Sequence, residues 1–156
     1  MPALSKPSIS VIIPTLNSGS FLNACLASIR NQSYPSAKIH ILIADGGSTD
    51  STLKIAKTYH CRIFQNKLKT AEAGKALLIK KVTTPYLISL DSDNILPSKN
   101  WISEILKPLL ANPRVIGSES IAFTYRRHSG FIERYSALLG ANDPYSFFTC
   151  FYYRYS

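Results

Sequence analysis

Tyr86-Leu87-Ile88-Ser89-Leu90-Asp91-Ser92-Asp93-Asn94 joins an apolar run directly to two carboxylates one residue apart. The first five residues read as a buried strand, with the acids at its carboxyl end. Where a strand opens into a loop, both acids can turn toward one point, and a divalent cation is the usual partner that offsets their repulsion. Hard cations such as Mg²⁺ or Mn²⁺ take oxygen ligands and bridge one or two carboxylates to substrate phosphates. The segment therefore predicts a metal–diphosphate site. Its plainer reading is a solvated loop in which Asp93 or Asn94 caps the next helix. The rest of the chain decides between them.

Working outward, Ser8–Pro14 is β-branched and closed by proline, a buried first strand, and Ile39–Ala44 is a second that stops at Asp45-Gly46-Gly47. Phe21, Leu22, Cys25, Leu26 and Ile29 recur at helical spacing behind Ser18–Ser20, and Tyr34-Pro35 ends that helix. Ser48-Thr49-Asp50 caps another helix, with Leu53, Ile55 and Ala56 inward. Cys61–Phe64 is a short strand. Residues 71–82 read as a helix interrupted by Gly74, and Pro97-Ser98 opens a helix through Trp101, Ile105 and Leu109 that Pro113 ends. Val115–Gly117 and Ile121–Phe123 read as one bent strand or two short ones. Strands alternating with helices predict parallel βαβ units, an α/β three-layer sandwich of Rossmann-like type. Such sheets bind ligands outside the carboxyl ends of their strands, where Asp45-Gly46-Gly47 and Asp91-Ser92-Asp93 both fall.

The 156 residues suffice for one domain, and 46% apolar with 17% charged content is globular. No apolar run approaches the ~20 residues of a membrane span, and Met1–Pro7 lacks a signal-peptide core. A cytoplasmic protein is the expectation. The net charge of +9 favours phosphorylated ligands or an anionic membrane surface. The cations are dispersed and no nucleic-acid motif is present, so no nucleic-acid partner is expected. Cys25, Cys61 and Cys150 show neither zinc spacing nor a disulfide framework. His40, His60 and His128 lack ligand spacing. Residues 1–7 read as a tail, 8–128 as the ligand-binding domain, and 129–156 as an aromatic-rich segment. The density of Tyr135, Tyr145, Phe147, Phe148, Phe151, Tyr152, Tyr153 and Tyr155 leads us to expect that the chain continues into a missing half, or packs on a partner or membrane.

Val11-Ile12-Ile13-Pro14-Thr15-Leu16-Asn17, Ile43-Ala44-Asp45-Gly46-Gly47-Ser48-Thr49-Asp50, Gly74-Lys75-Ala76 and Leu90-Asp91-Ser92-Asp93, in that order, resemble the family-2 glycosyltransferases. Those are inverting enzymes of the GT-A fold that use nucleotide-diphosphate sugars. The likeness covers roughly residues 8–110, the donor-binding portion. It implies that Pro14 and Thr15 line the nucleotide pocket and that Asp45 accepts from a base N–H, uracil or guanine. It further implies that Gly46 and Gly47 let the backbone approach the nucleotide closely, that Lys75 and Ser92 lie by the nucleotide sugar, that Asp91 contacts its ribose or sugar side, and that Asp93, with Asp91, holds Mn²⁺ or Mg²⁺ on the diphosphate. The donor is then a UDP- or GDP-sugar. Glu133-Arg134-Tyr135 with Leu139–Pro144 resembles a subset acting on lipid-linked acceptors, so an acceptor glycan, polyprenyl phosphate or glycolipid is implied, with peripheral membrane contact.

Alternatives stay open at several positions. Asp45 can instead close a turn with its glycines, Asp50 reads as a helix cap, and Lys75 as a solvated helix lysine. Leu16 stands where many relatives carry an aromatic, and Ala44 where many carry a second acid. Inversion needs a general base opposite the leaving group. Glu133 and Asp143 do not match the family's base motif, so the base is expected beyond Ser156 and the catalytic residue is unassigned. A donor-binding module without turnover and a nucleotidyltransferase are the competing readings. The latter usually carries a Gly-rich basic loop after its first strand, which Pro14–Gly19 does not resemble.

Overall fold

A computed structural model describes residues 6–119. They order as β1 (Ile9–Thr15), α1 (Gly19–Arg30), a 3₁₀ turn (Ser36–Lys38), β2 (Ile39–Asp45), α2 (Thr52–Thr58), β3 (Arg62–Gln65), α3 (Ala71–Ile79), β4 (Tyr86–Ser89) and α4 (Trp101–Ala111). The chain forms two compact units, Met1–Ser103 and Glu104–Ser156. The sheet and the first three helices belong to the first.

The sheet order is β3-β2-β1-β4, with every pair parallel. Ile9 lies opposite both Ile39 and Tyr86, and the tips Thr15, Asp45 and Gln65 are level across the sheet. β1 is buried along its whole length, Ser10 and Thr15 included, which is why it reads as a mostly apolar run rather than an alternating one. The first two crossovers step one way across the sheet and the third steps back over β1. Right-handed connections then put α1 and α2 on one face and α3 on the other. In agreement, α1 packs against α2, while α3 packs on β1 and β2.

The α3 face buries Ile12, Leu42, Ala44 and Leu78, with Phe64, Leu77 and Val82 against them. On α1, Leu22, Cys25, Leu26 and Ile29 form the buried stripe. Each such leucine or isoleucine contributes about 1.5–3 kcal/mol.

The structure departs from the sequence reading in several places. β4, read as a buried strand, lies at the edge of the described sheet with only Ile88 buried and Leu87 and Ser89 exposed, and Phe21 stands off the buried stripe of α1. Helix α3 runs through Gly74 without interruption. The inward face of α2 is Thr52 and Ala56, with Leu53 and Ile55 only half-buried. Val115–Gly117 forms no strand. There the backbone turns instead: Val115 N–H donates to Asn112 O at 3.0 Å, Arg114 N–H to Asn112 Oδ1 at 3.0 Å, and Ile116 is 98% exposed. The Ile121–Phe123 reading, the aromatic segment, Glu133 and Asp143 lie outside the described residues.

Candidate functional site

β1 lies between β2 and β4, and the connection into β2 steps one way across the sheet while that into β4 steps the other, so the crevice beyond β1 is a topological switch point, where open α/β sheets bind ligands. Leu90 N–H donates to Ile12 O at 3.1 Å and carries the chain to that crevice. The loop then folds on Asn94. Its N–H donates to Asp91 O at 3.1 Å, and its Oδ1 accepts from Asp91 N–H at 3.0 Å. Asn94 thus closes the loop rather than capping α4, which begins seven residues later, at Trp101. The Asp91 and Asp93 side chains are left exposed.

Lys75 Nζ lies 2.9 Å from Asp91 Oδ1. The preceding residue explains how α3 delivers it. A Cβ at Gly74 would meet Pro14 Cβ at 3.0 Å, Asn66 Nδ2 at 3.1 Å and Ala44 Cβ at 3.4 Å. Only glycine lets the helix press against the end of β1, and that approach sets Lys75 beside the β4 loop.

Asp45, 5% exposed, closes its own turn. Oδ2 accepts from Gly47 N–H and Ser48 N–H, both at 2.9 Å, while Oδ1 accepts from Ser48 Oγ at 2.5 Å and Thr15 Oγ1 at 3.2 Å. Burial opposes the charge, but the hydrogen bonds from Ser48, Gly47 and Thr15 together hold the carboxyl below its ordinary range. Gly47, at φ +95°, makes this turn possible.

A polar network ties the loops after β1, β2 and β4. Asp50 Oδ2 accepts from Gly19 N–H at 2.8 Å, so it caps α1 as well as its own helix, where Oδ1 accepts from Thr52 N–H at 2.9 Å. Asn17 adopts φ 50° and holds the neighbouring loop through Thr49 N–H (2.9 Å) and Ser48 Oγ (2.8 Å). Buried Thr52 Oγ1 accepts from Ser18 N–H at 2.8 Å, and the Ser18 and Ser92 hydroxyls meet at 2.9 Å. Ser92 is therefore tethered to the end of β1. Cys25, beneath this loop, directs its thiol to Asp91 O at 3.8 Å. Burial, and then the Asp93 charge, push that thiol up to about 12, which keeps it protonated at neutral pH.

A small cleft of about 80 Å³ opens on the other side of β1, lined by Pro14, Thr15, Leu16, Asn66, Lys69, Thr70 and Ala71. Asn66 is 5% exposed; its Nδ2 donates to Thr70 O at 2.8 Å, and its Oδ1 accepts no hydrogen bond among the described residues. The sequence reading missed Asn66, Lys69 and Thr70. Their signal was only a polar run directly after β3, at a strand end. Of the expected nucleotide residues, Pro14 and Thr15 line the cleft. Gly46 packs beneath Leu16, and Asp91, Ser92, Asp93 and Lys75 gather on the β4 side.

Among the described residues no cluster of three or more His, Cys, Asp or Glu side chains could hold a metal ion. Two exposed carboxylates remain, and they suit a hard cation that completes its shell with phosphate oxygens and water, as Mg²⁺-type ions do. The donor set fits Mg²⁺ or Mn²⁺ and offers nothing for a softer metal.

A parallel sheet flanked by helices, with acids and a lysine at its switch point, defines an open α/β domain. The family model of Glycosyl transferase family 2 matches residues 10–155, and the chain belongs to that family. It is 26% identical to glycosyltransferase AglE of Haloferax volcanii over 137 residues, 84% of this chain and 45% of that protein. Mannosyltransferase PcManGT of Pyrobaculum calidifontis, solved with GDP-Man and Mn²⁺, superposes with TM-score 0.63 at 24% identity, over 70% of this chain and 34% of that one. TarS residues 1–349 of S. aureus, solved with UDP-GlcNAc, gives TM-score 0.56 at 22% identity, over 65% and 31%. These likenesses establish the GT-A fold. The chain spans less than half the length of each of these proteins.

Proposed function

We propose that this chain is the donor-binding portion of an inverting glycosyltransferase that takes a UDP- or GDP-sugar. The observation that carries the reading is the Lys75–Asp91 contact at the switch point, beside a second exposed carboxylate at Asp93. Asp91 and Asp93 hold Mn²⁺ or Mg²⁺; when bound, the cation stabilises charge on the leaving diphosphate. Lys75 supplies a further positive charge where that charge develops. Ser92, fixed by Ser18, orients the loop between the two carboxylates.

The nucleobase takes the cleft beside Leu16, whose exposed side chain covers a base face without stacking on it. Asp45, already accepting four hydrogen bonds, shapes this end of the pocket, and Asn66 Oδ1 is the free acceptor for a base N–H. Both uracil and guanine offer such donors. An acceptor hydroxyl or lipid phosphate, on a glycan, glycolipid or polyprenyl phosphate, attacks the sugar carbon opposite the diphosphate. Its general base comes from outside the described residues. Among those residues no helix is long and apolar enough to cross a membrane; peripheral contact with an anionic cytoplasmic surface suits the charge of +9.

Thermal-shift titrations with UDP-GlcNAc and GDP-Man, each with and without Mn²⁺, test the reading. Stabilisation by one donor that requires Mn²⁺ and disappears in Asp93→Ala supports it. No stabilisation by either donor, at millimolar concentration with Mn²⁺ present, contradicts it.

A further inference from the structure

Lys75 and Asp91 are paired, and that pairing bears on the order in which ligands bind. Asp91 is one of the two carboxylates assigned above to the cation, and Lys75 Nζ lies 2.9 Å from its Oδ1. Asp93 has no cationic partner among the described residues; its one side-chain contact is Asn94 Nδ2 at 3.4 Å. An ammonium group thus stands at half of the cation's protein ligand set. Lys75 cannot withdraw by moving its backbone, because Gly74 is packed on Pro14, Asn66 and Ala44. Its side chain, 36% exposed, can still swing.

We propose that Lys75 is an exchangeable counterion that makes cation binding contingent on the diphosphate. A divalent ion arriving alone competes with the ammonium for Asp91 and meets its repulsion. A nucleoside diphosphate offers Lys75 a replacement anion, the lysine turns to it, and Asp91 is released to the cation. The two ligands are then coupled, and coupling is reciprocal: each raises the protein's affinity for the other. This rests on the assignment of Asp91 and Asp93 as the cation's ligands. A cation shared with the diphosphate couples the two ligands by itself; what the exchange adds is a penalty on the cation arriving alone, and a helix lysine that served only solubility or packing would impose none.

The test is Mn²⁺ titration of the full chain by electron paramagnetic resonance, without nucleotide and with saturating UDP or GDP, in wild type, Lys75→Gln, Lys75→Arg and Asp93→Asn. An exposed ion pair and the repulsion of a nearby dication are each modest in water. Lys75→Gln is therefore expected to tighten nucleotide-free Mn²⁺ binding about two- to tenfold, while weakening binding of the diphosphate. Lys75→Arg keeps the wild-type pattern. Opposite signs in one variant are the signature, since general damage to the fold weakens both ligands together. Nucleotide-free Mn²⁺ affinity that is unchanged or weaker in Lys75→Gln overturns the proposal. Asp93→Asn separates the two levels. If it abolishes Mn²⁺ binding while Lys75→Gln tightens nothing, the exchange fails and the cation site stands. If it leaves Mn²⁺ binding intact, the cation site itself is misassigned and the exchange falls with it.

Discussion

Asp45 concentrates four hydrogen bonds on one buried carboxylate, so its protonation matters to the fold. Its folded-state value lies below the ordinary 3.8. The stability it contributes is therefore full above about pH 4 and lost as pH falls through the lower, folded-state value. In Asp45→Asn the amide oxygen takes the Gly47 and Ser48 N–H groups while the nitrogen faces the Ser48 and Thr15 hydroxyls, so the loss is mainly the charge on these hydrogen bonds, an expected cost of about 1 kcal/mol at neutral pH. The gap from wild type should narrow below about pH 4, read by urea denaturation across pH. Gly74→Ala tests the close approach. Alanine gains about 1 kcal/mol of helix propensity, yet its Cβ would sit 3.0 Å from the rigid Pro14 ring. A net loss of about 1 kcal/mol is expected, with weaker nucleotide binding because Asn66 is displaced; a gain in thermal stability would mean that the packing yields. At this scale residue types were legible in the sequence and partners were not. Asp45-Gly46-Gly47 announced a special turn, but whether the carboxylate faced inward depended on Ser48 and Thr15, and Thr15 lies thirty positions away. Gly74 looked like a helix interruption because its reason, Pro14, lies on another strand.

Among the elements, most strands and helices through Ala111 were readable from apolar runs or helical spacing, though the existence of α2 was legible while its inward face, Thr52 and Ala56, was not. The exception is informative: Val115–Gly117 has strand-like residues yet forms no strand, and its first N–H, that of Val115, is taken by the Asn112 turn. What periodicity cannot show is how loops are cross-tied. Asp50 was read as a cap for one helix, and it caps two. Asp50→Ala should lower the melting temperature by releasing Gly19 and Thr52 N–H together, and an unchanged melting curve would deny the double role. Ser18 and Ser92 join the loops of β1 and β4. A double-mutant cycle on Ser18→Ala and Ser92→Ala should show coupling of about 1 kcal/mol in Mn²⁺-dependent nucleotide binding. Additive effects would mean that the tether does not order the carboxylate loop.

For the molecule as a whole, fold and site meet at one end of the sheet. The order β3-β2-β1-β4 brings chain positions 14–19, 45–50, 66–75 and 91–94 to the same set of strand tips. Sequence alone put Asp45 and the Asp91/Asp93 pair at those ends, since a βαβ pattern fixes which end of a strand a loop leaves. The cleft at Asn66 and the Lys75 pair came only from tertiary packing. In the proposed function, Asp91 and Asp93 hold the cation while a nucleotide lies across β1. Paramagnetic relaxation by Mn²⁺ in the presence of UDP or GDP measures this most directly, amide by amide. Broadening should centre on Asp91–Asn94, extend to Ser18 and Lys75, and leave the amino ends of β1 and β2 sharp. Broadening centred elsewhere, or the same pattern in Asp93→Asn, would contradict it.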